Sequence, residues 1–275
     1  MLSLASKVEI APGVEMPLLG FGTYKSAEGE EVYGSLRTAL EVGYRGVDTA
    51  SLYANEEGVG RALSDSGVPR EELFVATKVW NDEQGYEKTL EACERSLRKL
   101  GLDQLDLYLV HWPSREFMAD TWRAMEELLS RGRTRAIGVC NHLPHQLEEL
   151  AALGGVFPAV DQIEHHPRLQ QPELLEYAKD AGLVLQAWAP VMRGRASQVP
   201  ELVRIGERHD KTGAQVCIRW ILQHGVTAVP KSVHRDRIVE NADVFDFELT
   251  REDMRMIDVL DRHERLGPDP DAFIW

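Results

Sequence analysis

Eight short apolar runs alternate with helical stretches along this chain, and that alternation restricts its fold more than any other feature. The runs are Leu18–Thr23, Gly46–Thr49, Leu73–Val79, Leu105–His111, Arg135–Cys140, Ala159–Ile163, Leu183–Trp188 and Thr227–Pro230. Between them lie segments with apolar residues at helical spacing. Glu30–Val42 has Val32, Leu36, Ala39 and Leu40 on one face and Gly43 as a stop. Tyr86–Leu100 repeats the pattern ahead of Gly101, and Pro172–Ala181 starts on proline and ends before Gly182. No hairpin turn joins neighbouring runs, so they must pair in parallel through helical crossovers. Eight such units in about 250 residues predict a single-domain α/β fold, a (β/α)8 TIM barrel. Lys7–Ile10 and Val14–Met16, on either side of Pro12-Gly13, predict a short N-terminal β-hairpin. No low-complexity linker divides residues 1–275, which are read as one domain. A doubly wound sheet is the structural alternative, but it needs a glycine-rich loop directly after a strand. Gly58-Val59-Gly60 lies inside a helical stretch and lacks the third glycine.

The formal charge of −14, with no long basic run, makes nucleic acid and anionic membrane poor partners. No apolar run reaches transmembrane length, and Met1–Lys7 lacks the pattern of a signal peptide. Cys93, Cys140 and Cys217 are widely spaced and odd in number, which reads as reduced thiols in a cytosol. The expectation is a cytoplasmic monomer.

Three runs end in reactive groups: Asp48, Lys78 and His111, with Tyr53 just beyond the first. In a barrel, catalytic groups belong at the C-terminal ends of strands. A phenol ionises near pH ~10, and a nearby ammonium lowers that value. Lys78 is expected to do this for Tyr53, with Asp48 holding Lys78 charged and a neutral His111 orienting a carbonyl oxygen. No Ser or Cys is visibly paired with His111, and His165-His166 lacks further ligands at metal-binding spacing, so no metal is expected. A site that stabilises an alkoxide without a nucleophile of its own points to a cofactor hydride.

Gly46-Val47-Asp48-Thr49-Ala50 with Tyr53, Leu109-Val110-His111-Trp112-Pro113, Gly138-Val139-Cys140-Asn141 and Val229-Pro230-Lys231-Ser232-Val233 resemble motifs of the aldo-keto reductase superfamily. The match runs in order from about Met16 to Leu260. Asn55–Gly60, Asn81-Asp82 and Asp243–Phe247 make it most similar to bacterial 2,5-diketo-D-gluconate reductase-like enzymes. The resemblance implies NADPH-dependent reduction of aldehydes or ketones to alcohols. Residue by residue, it implies Tyr53 as proton donor, Lys78 and Asp48 as its tuning partners and His111 as the orienting imidazole. Asn141 and Gln162 match residues that hold the nicotinamide carboxamide, and Trp188 matches the ring beneath it. Gly22-Thr23 matches the first cofactor loop. Lys231, Ser232, Val233, Arg237, Glu240 and Asn241 match the segment that grips the 2′-phosphate and adenine. A local Lys231/Arg235/Arg237 cluster beside a helix start is also a sensible phosphate dock in so acidic a chain. Cys140 departs from the usual Ser and is a weaker donor. Arg193 and Arg195 stand where many relatives carry Leu-Gly-x-Gly.

Trp80 and Trp112 follow site residues and are expected on the substrate wall. Small aldehydes, aromatic aldehydes and keto-sugars fit the sequence equally well; the tail His263–Trp275, ending in Trp275, could lie over the pocket, but its length suggests an open site with broad tolerance. The functional alternative is an NADPH-binding redox-sensing module with little turnover.

Overall fold

The computed structural model describes residues 2–273. Strands β1 (Lys7–Ala11) and β2 (Val14–Pro17) pair antiparallel as the expected hairpin, turned at Gly13 with φ +72°. The chain then alternates: β3 (Gly20–Gly22), α1 (Glu30–Val42), β4 (Gly46–Asp48), α2 (Glu56–Ser64), β5 (Phe74–Val79) and α3 (Tyr86–Leu100). It continues through β6 (Leu105–Val110), α4 (Met118–Ser130), β7 (Thr134–Cys140), α5 (Pro144–Ala152), β8 (Val160–Glu164), α6 (Pro172–Ala181) and β9 (Val184–Trp188). Helices α7 (Pro200–Arg208) and α8 (Gly213–Gln223), strand β10 (Thr227–Ala228), and helices α9 (Arg235–Ala242) and α10 (Arg251–Asp258) complete it.

Strands β3 to β10 form an eight-stranded sheet in chain order, each pair parallel. A parallel bridge between Leu19 and Ala228 closes it, so the fold is a (β/α)8 barrel. The last strand is shorter than the sequence pattern because Pro230 has no N–H to donate to a ladder. Met192–Gln198 adds a 3-10 segment broken at Arg193 and Gly194 (φ 53° and 87°), which hydrophobic periodicity does not reveal. Among the described residues, no helix is long and apolar enough to cross a membrane.

Side chains alternate in and out along each strand. The outward set includes Val75, Val79, Tyr108, Val110, Ile137, Val139 and Ile163, packed with the helices. Inward, Phe74, Ala76, Leu107, Leu109, Ala136, Cys140 and Val160 form a separate cluster with Ile10, Val14 and Met16 of the hairpin. The hairpin therefore plugs the N-terminal end of the barrel. Met16 is 1% exposed, and burying such a side chain contributes roughly 1.5–3 kcal/mol. The inward parity that begins with Phe74 and Ala76 arrives at Lys78; that of Leu107 and Leu109 arrives at His111. Apolar packing at one end of the barrel thus aims the polar groups at the other.

Candidate active site

Lys78 is fully buried, and its three ammonium protons all have acceptors. Nζ donates to Asp48 Oδ2 at 2.7 Å, to the Thr49 carbonyl at 2.8 Å and to the Tyr53 hydroxyl at 3.2 Å. The other oxygen of Asp48 accepts from Gln162 Nε2 at 2.6 Å, and the same nitrogen reaches Gln186 Oε1 at 2.7 Å. Burial alone would pull the Lys78 pKa down. Asp48, and then Tyr53, outweigh it, so the ammonium titrates above its ordinary range and stays charged at neutrality.

Tyr53 rides on a single 3-10 turn, Ser51–Tyr53, that leaves β4 and ends at a left-handed Ala54 (φ 52°). Its hydroxyl behaves differently from the sequence expectation. Burial drives its pKa up, Lys78 pulls it down and Asp48 pushes it up again; the net shift is upward. Lys78 acts in the expected direction, but burial is the larger effect. Tyr53 therefore keeps its proton at neutral pH.

His111 takes its backbone position from a bond to the Val79 carbonyl at 3.2 Å. Its ring stands edge-on to Tyr53, with centroids 5.6 Å apart, and to Trp80 at 4.9 Å. Burial, reinforced by Lys78, holds its pKa well below the ordinary value, so the imidazole is neutral. Its Nδ1 is buried without a hydrogen-bond partner.

Asn141 adopts a left-handed conformation (φ 61°) directly after β7. Its amide donates to the His111 carbonyl at 3.0 Å and accepts from Trp188 Nε1 at 2.8 Å, joining three of the expected site residues. Cys140 faces the barrel interior instead, and burial pushes its thiol pKa well up. Gly22 donates to the Pro230 carbonyl, and a Cβ there would stand 2.9 Å from the Val229 oxygen, so only glycine fits that crossing. The Thr23 hydroxyl is fully buried and donates to the Asp48 carbonyl at 3.0 Å.

At the other side of the mouth, Lys231 is half-buried and donates to the Lys25 carbonyl at 3.1 Å. Ser232 Oγ accepts the His234 N–H at 3.1 Å just before α9, and Val233 is half-buried. Arg237 is exposed and has no hydrogen bond or ion pair among the described residues. Glu240 accepts from Thr212 Oγ1 at 2.7 Å, and Asn241 is buried. The expected three-cation cluster loses one member: Arg235 turns to Glu41 at 3.3 Å, across an exposed gap between α9 and α1. Arg195 lies 4.0 Å from Glu264.

Trp80 is half-buried, whereas Trp112 is covered by Phe273, with ring centroids 4.4 Å apart. The tail reaches this point because buried Glu164, at the end of β8, accepts the N–H groups of Leu266 and Gly267 at 2.6 and 3.0 Å. A Cβ on Gly267 would come within 2.6 Å of the Trp188 ring. Of the two readings of the tail, residues 266–273 thus take the one that lies against the site; Trp275 lies outside the described residues. The same Glu164 shares a 2.9 Å bond with His166 Nε2, and His165 stacks on Trp220, which places both members of that histidine pair. Sequence reading misses Glu164, and it uses Asn55 only as part of the Asn55–Gly60 match, with no role of its own. Asn55 is fully buried, accepts from Thr49 Oγ1 at 2.8 Å and donates to the Thr23 and Ser26 carbonyls. Its one signal is a polar residue at the start of α2.

Comparison with known proteins agrees with this fold. Glyoxal reductase of Bacillus subtilis (strain 168) is 52% identical over 273 residues, covering 99% of both chains. The solved structure of a Gox0644 mutant in complex with NADPH superposes with a TM-score of 0.93 at 41% identity, covering 98% of this chain and 99% of that one. A solved structure described as a 2,5-diketo-D-gluconic acid reductase B gives 0.91 at 39% identity, covering 96% and 95%. The model of the Aldo/keto reductase family matches residues 18–262, and the chain belongs to that family.

Proposed function

We propose that this reductase converts aldehydes or ketones to alcohols at the barrel mouth, with Tyr53 as the proton donor. The observation that carries the reading is the Lys78 ammonium, bonded at once to Asp48 Oδ2 at 2.7 Å and to the Tyr53 hydroxyl at 3.2 Å beside a neutral imidazole. His111 orients the carbonyl oxygen by hydrogen bonding, with Trp80 and Trp112 on the same wall. Tyr53 holds its proton until the alkoxide needs it. Lys78 then stabilises the phenolate left behind, and Asp48 keeps Lys78 charged and in place.

The donor set fits a phosphorylated dinucleotide: Lys231 and Arg237 are cations without an ion-pair partner among the described residues, beside the start of α9. Ser232, Val233, Glu240 and Asn241 would complete the 2′-phosphate and adenine end, Gly22-Thr23 would border the pyrophosphate, and Asn141, Gln162 and Trp188 would hold the nicotinamide. NADPH, when bound, supplies the hydride. Small aldehydes of the glyoxal kind lead the substrate range, supported by the 52% identical relative, with aromatic aldehydes and keto-sugars behind them. The charge of −14 supports a chain that works without nucleic acid, and three free cysteines support a reducing, cytoplasmic setting, in which we take it to act as a monomer.

The test is NADPH oxidation, followed by absorbance, with glyoxal, an aromatic aldehyde and a keto-sugar. Wild type turns over at least one of them. Tyr53→Phe lowers kcat by about 10²–10⁴-fold, while NADPH affinity, read from tryptophan fluorescence, stays nearly constant. NADPH binding with no turnover of any carbonyl compound would instead mark a redox-sensing module. A Tyr53→Phe variant at the wild-type rate would move the proton source elsewhere.

A further inference from the structure

The turn that carries Tyr53 has few polar ties, although the Tyr53 ring also packs against Tyr24 with centroids 5.0 Å apart. Among the described residues, its side chains make two hydrogen bonds outside the turn. One is from Lys78 to the Tyr53 hydroxyl at 3.2 Å, the longest of the three that Lys78 donates. The other is from Ser51 Oγ to Glu83 Oε2 at 2.7 Å. Leu52, between them, is 42% exposed and adds little packing. Glu83 Oε2 also accepts the backbone N–H of Trp80 at 3.4 Å, and its Oε1 is held by Arg95 of α3 at 2.7 Å. One carboxylate therefore spans two loops, and those loops present the rings on either side of His111: Tyr53 at 5.6 Å and Trp80 at 4.9 Å.

We propose that Glu83, braced by Arg95, is a positioning residue for the reaction: it ties the Tyr53 turn to the Trp80 loop and sets the gap in which a carbonyl group meets His111. The proposal rests on Tyr53 as proton donor and adds the element that aims it. Burial pushes the Glu83 carboxyl up, but the bonds from Arg95, Ser51 and the Trp80 N–H more than offset this, so it stays below the usual carboxylate range and ionised at neutral pH. The nucleotide-phosphate segment on β10 and α9 shares no bond with this brace, so the two functions are separable.

The experiment compares wild type with Glu83→Ala, Glu83→Gln, Ser51→Ala, the Ser51→Ala/Glu83→Ala pair and Tyr53→Phe. It measures kcat and KM for a small aldehyde, NADPH affinity and thermal unfolding. Glu83→Ala should lower kcat about 10–100-fold, the scale expected when a reacting group is misplaced by a fraction of an ångström to an ångström, with NADPH affinity within about twofold of wild type. Glu83→Gln keeps an acceptor oxygen for Ser51 and Trp80 and should recover most of that loss. Ser51→Ala should be milder, and the pair no worse than Glu83→Ala alone, because both remove the same link. A wild-type kcat in Glu83→Ala overturns the proposal. So does a loss that Glu83→Gln shares in full and that comes with equally weakened NADPH binding and a lowered melting temperature, since that is general destabilisation. If Tyr53→Phe is slow and Glu83→Ala is fast, only the positioning role falls. If Tyr53→Phe is as fast as wild type, the donor assignment falls and takes this proposal with it.

Discussion

Lys78 and Lys231 stand at opposite sides of one barrel mouth and are partnered in opposite ways. Lys78 is wholly buried, gives all three protons to fixed acceptors and faces a carboxylate at 2.7 Å. Lys231 is half-buried and bonds only a backbone carbonyl. Their basicities move apart accordingly. Asp48 and Tyr53 overcome burial and raise Lys78, whereas burial, aided by Lys25 and opposed by Glu31, lowers Lys231. A cation neutralised within the protein acts as a fixed electrostatic element for its neighbours. A cation left without a carboxylate, in a chain of charge −14, is suited to receive an anion. On the proposed reading, the first lysine serves chemistry and the second serves binding.

The strongest way to break that comparison is to remove the buried ammonium. Lys78→Met leaves Asp48 in the barrel without its cation, and breaking a buried pair from one side costs about 3–5 kcal/mol. Urea unfolding should show this loss, and kcat should fall with it because Tyr53 loses the charge that favours its phenolate. A Lys78→Met variant as stable as wild type would mean that Asp48 was never dependent on the pair.

The buried lysine is the legible one. Strand alternation carries Phe74 and Ala76 to Lys78, and Leu107 and Leu109 to His111, so a reader of the sequence can place both at the mouth. Tyr53 is harder, since a single 3-10 turn has no periodicity; only its distance from Asp48 marks it. What the sequence hides are contacts between distant segments. Lys231 bonds Lys25, Arg235 pairs with Glu41, and Glu164 fastens the backbone of Leu266 and Gly267. No local pattern announces any of these, because each depends on how the barrel closes and where the tail returns. The same holds for the Tyr53 hydroxyl. Its neighbours can be named from sequence, but the burial that outweighs Lys78 exists only in the closed fold.

A buried imidazole that stays neutral sharpens the rule that a buried charge needs a partner. His165 is fully buried and stacks on Trp220 with centroids 5.0 Å apart. Burial, with His224 and His166 adding to it, lowers its pKa to about 3. Unfolded, it takes up a proton near pH ~6.5. Its contribution to stability is therefore present above that value and lost as pH falls toward the folded one. Between pH 7 and 5 the loss is roughly 1–2 kcal/mol. His165→Phe keeps an aromatic ring against Trp220 and removes the titration, so the difference in unfolding free energy between those two pH values should shrink by that amount. An unchanged difference would show that His165 takes its proton within the fold.

Lys231→Met attacks the open side. NADPH affinity should fall by about 1.5–3 kcal/mol, the scale of one charge-assisted hydrogen bond. NADH affinity and kcat at saturating cofactor should hardly move. Fold stability should stay within about 0.5 kcal/mol, as for other surface substitutions, in contrast to Lys78→Met. Equal wild-type affinities for the two cofactors would remove the 2′-phosphate from this corner.

The smallest effect belongs to Cys140, which lies between the two sides. Its thiol faces the barrel interior with Leu109, Ala136 and Val160, while the next residue, Asn141, bonds His111 and Trp188. Burial keeps the thiol neutral, and Lys78 only partly opposes that. Cys140→Ser installs a stronger donor at the same point. If the group reaches the cofactor's carboxamide, NADPH affinity should improve by roughly 0.5–1.5 kcal/mol, the worth of one hydrogen bond. If it does not, the hydroxyl is buried among apolar side chains, and affinity should stay level or weaken while urea unfolding shows a loss of about 1–3 kcal/mol. Measuring both quantities in one variant assigns Cys140 to a side. Tighter binding places it with the groups that receive the cofactor; lost stability with unchanged binding places it with the packing that holds Lys78.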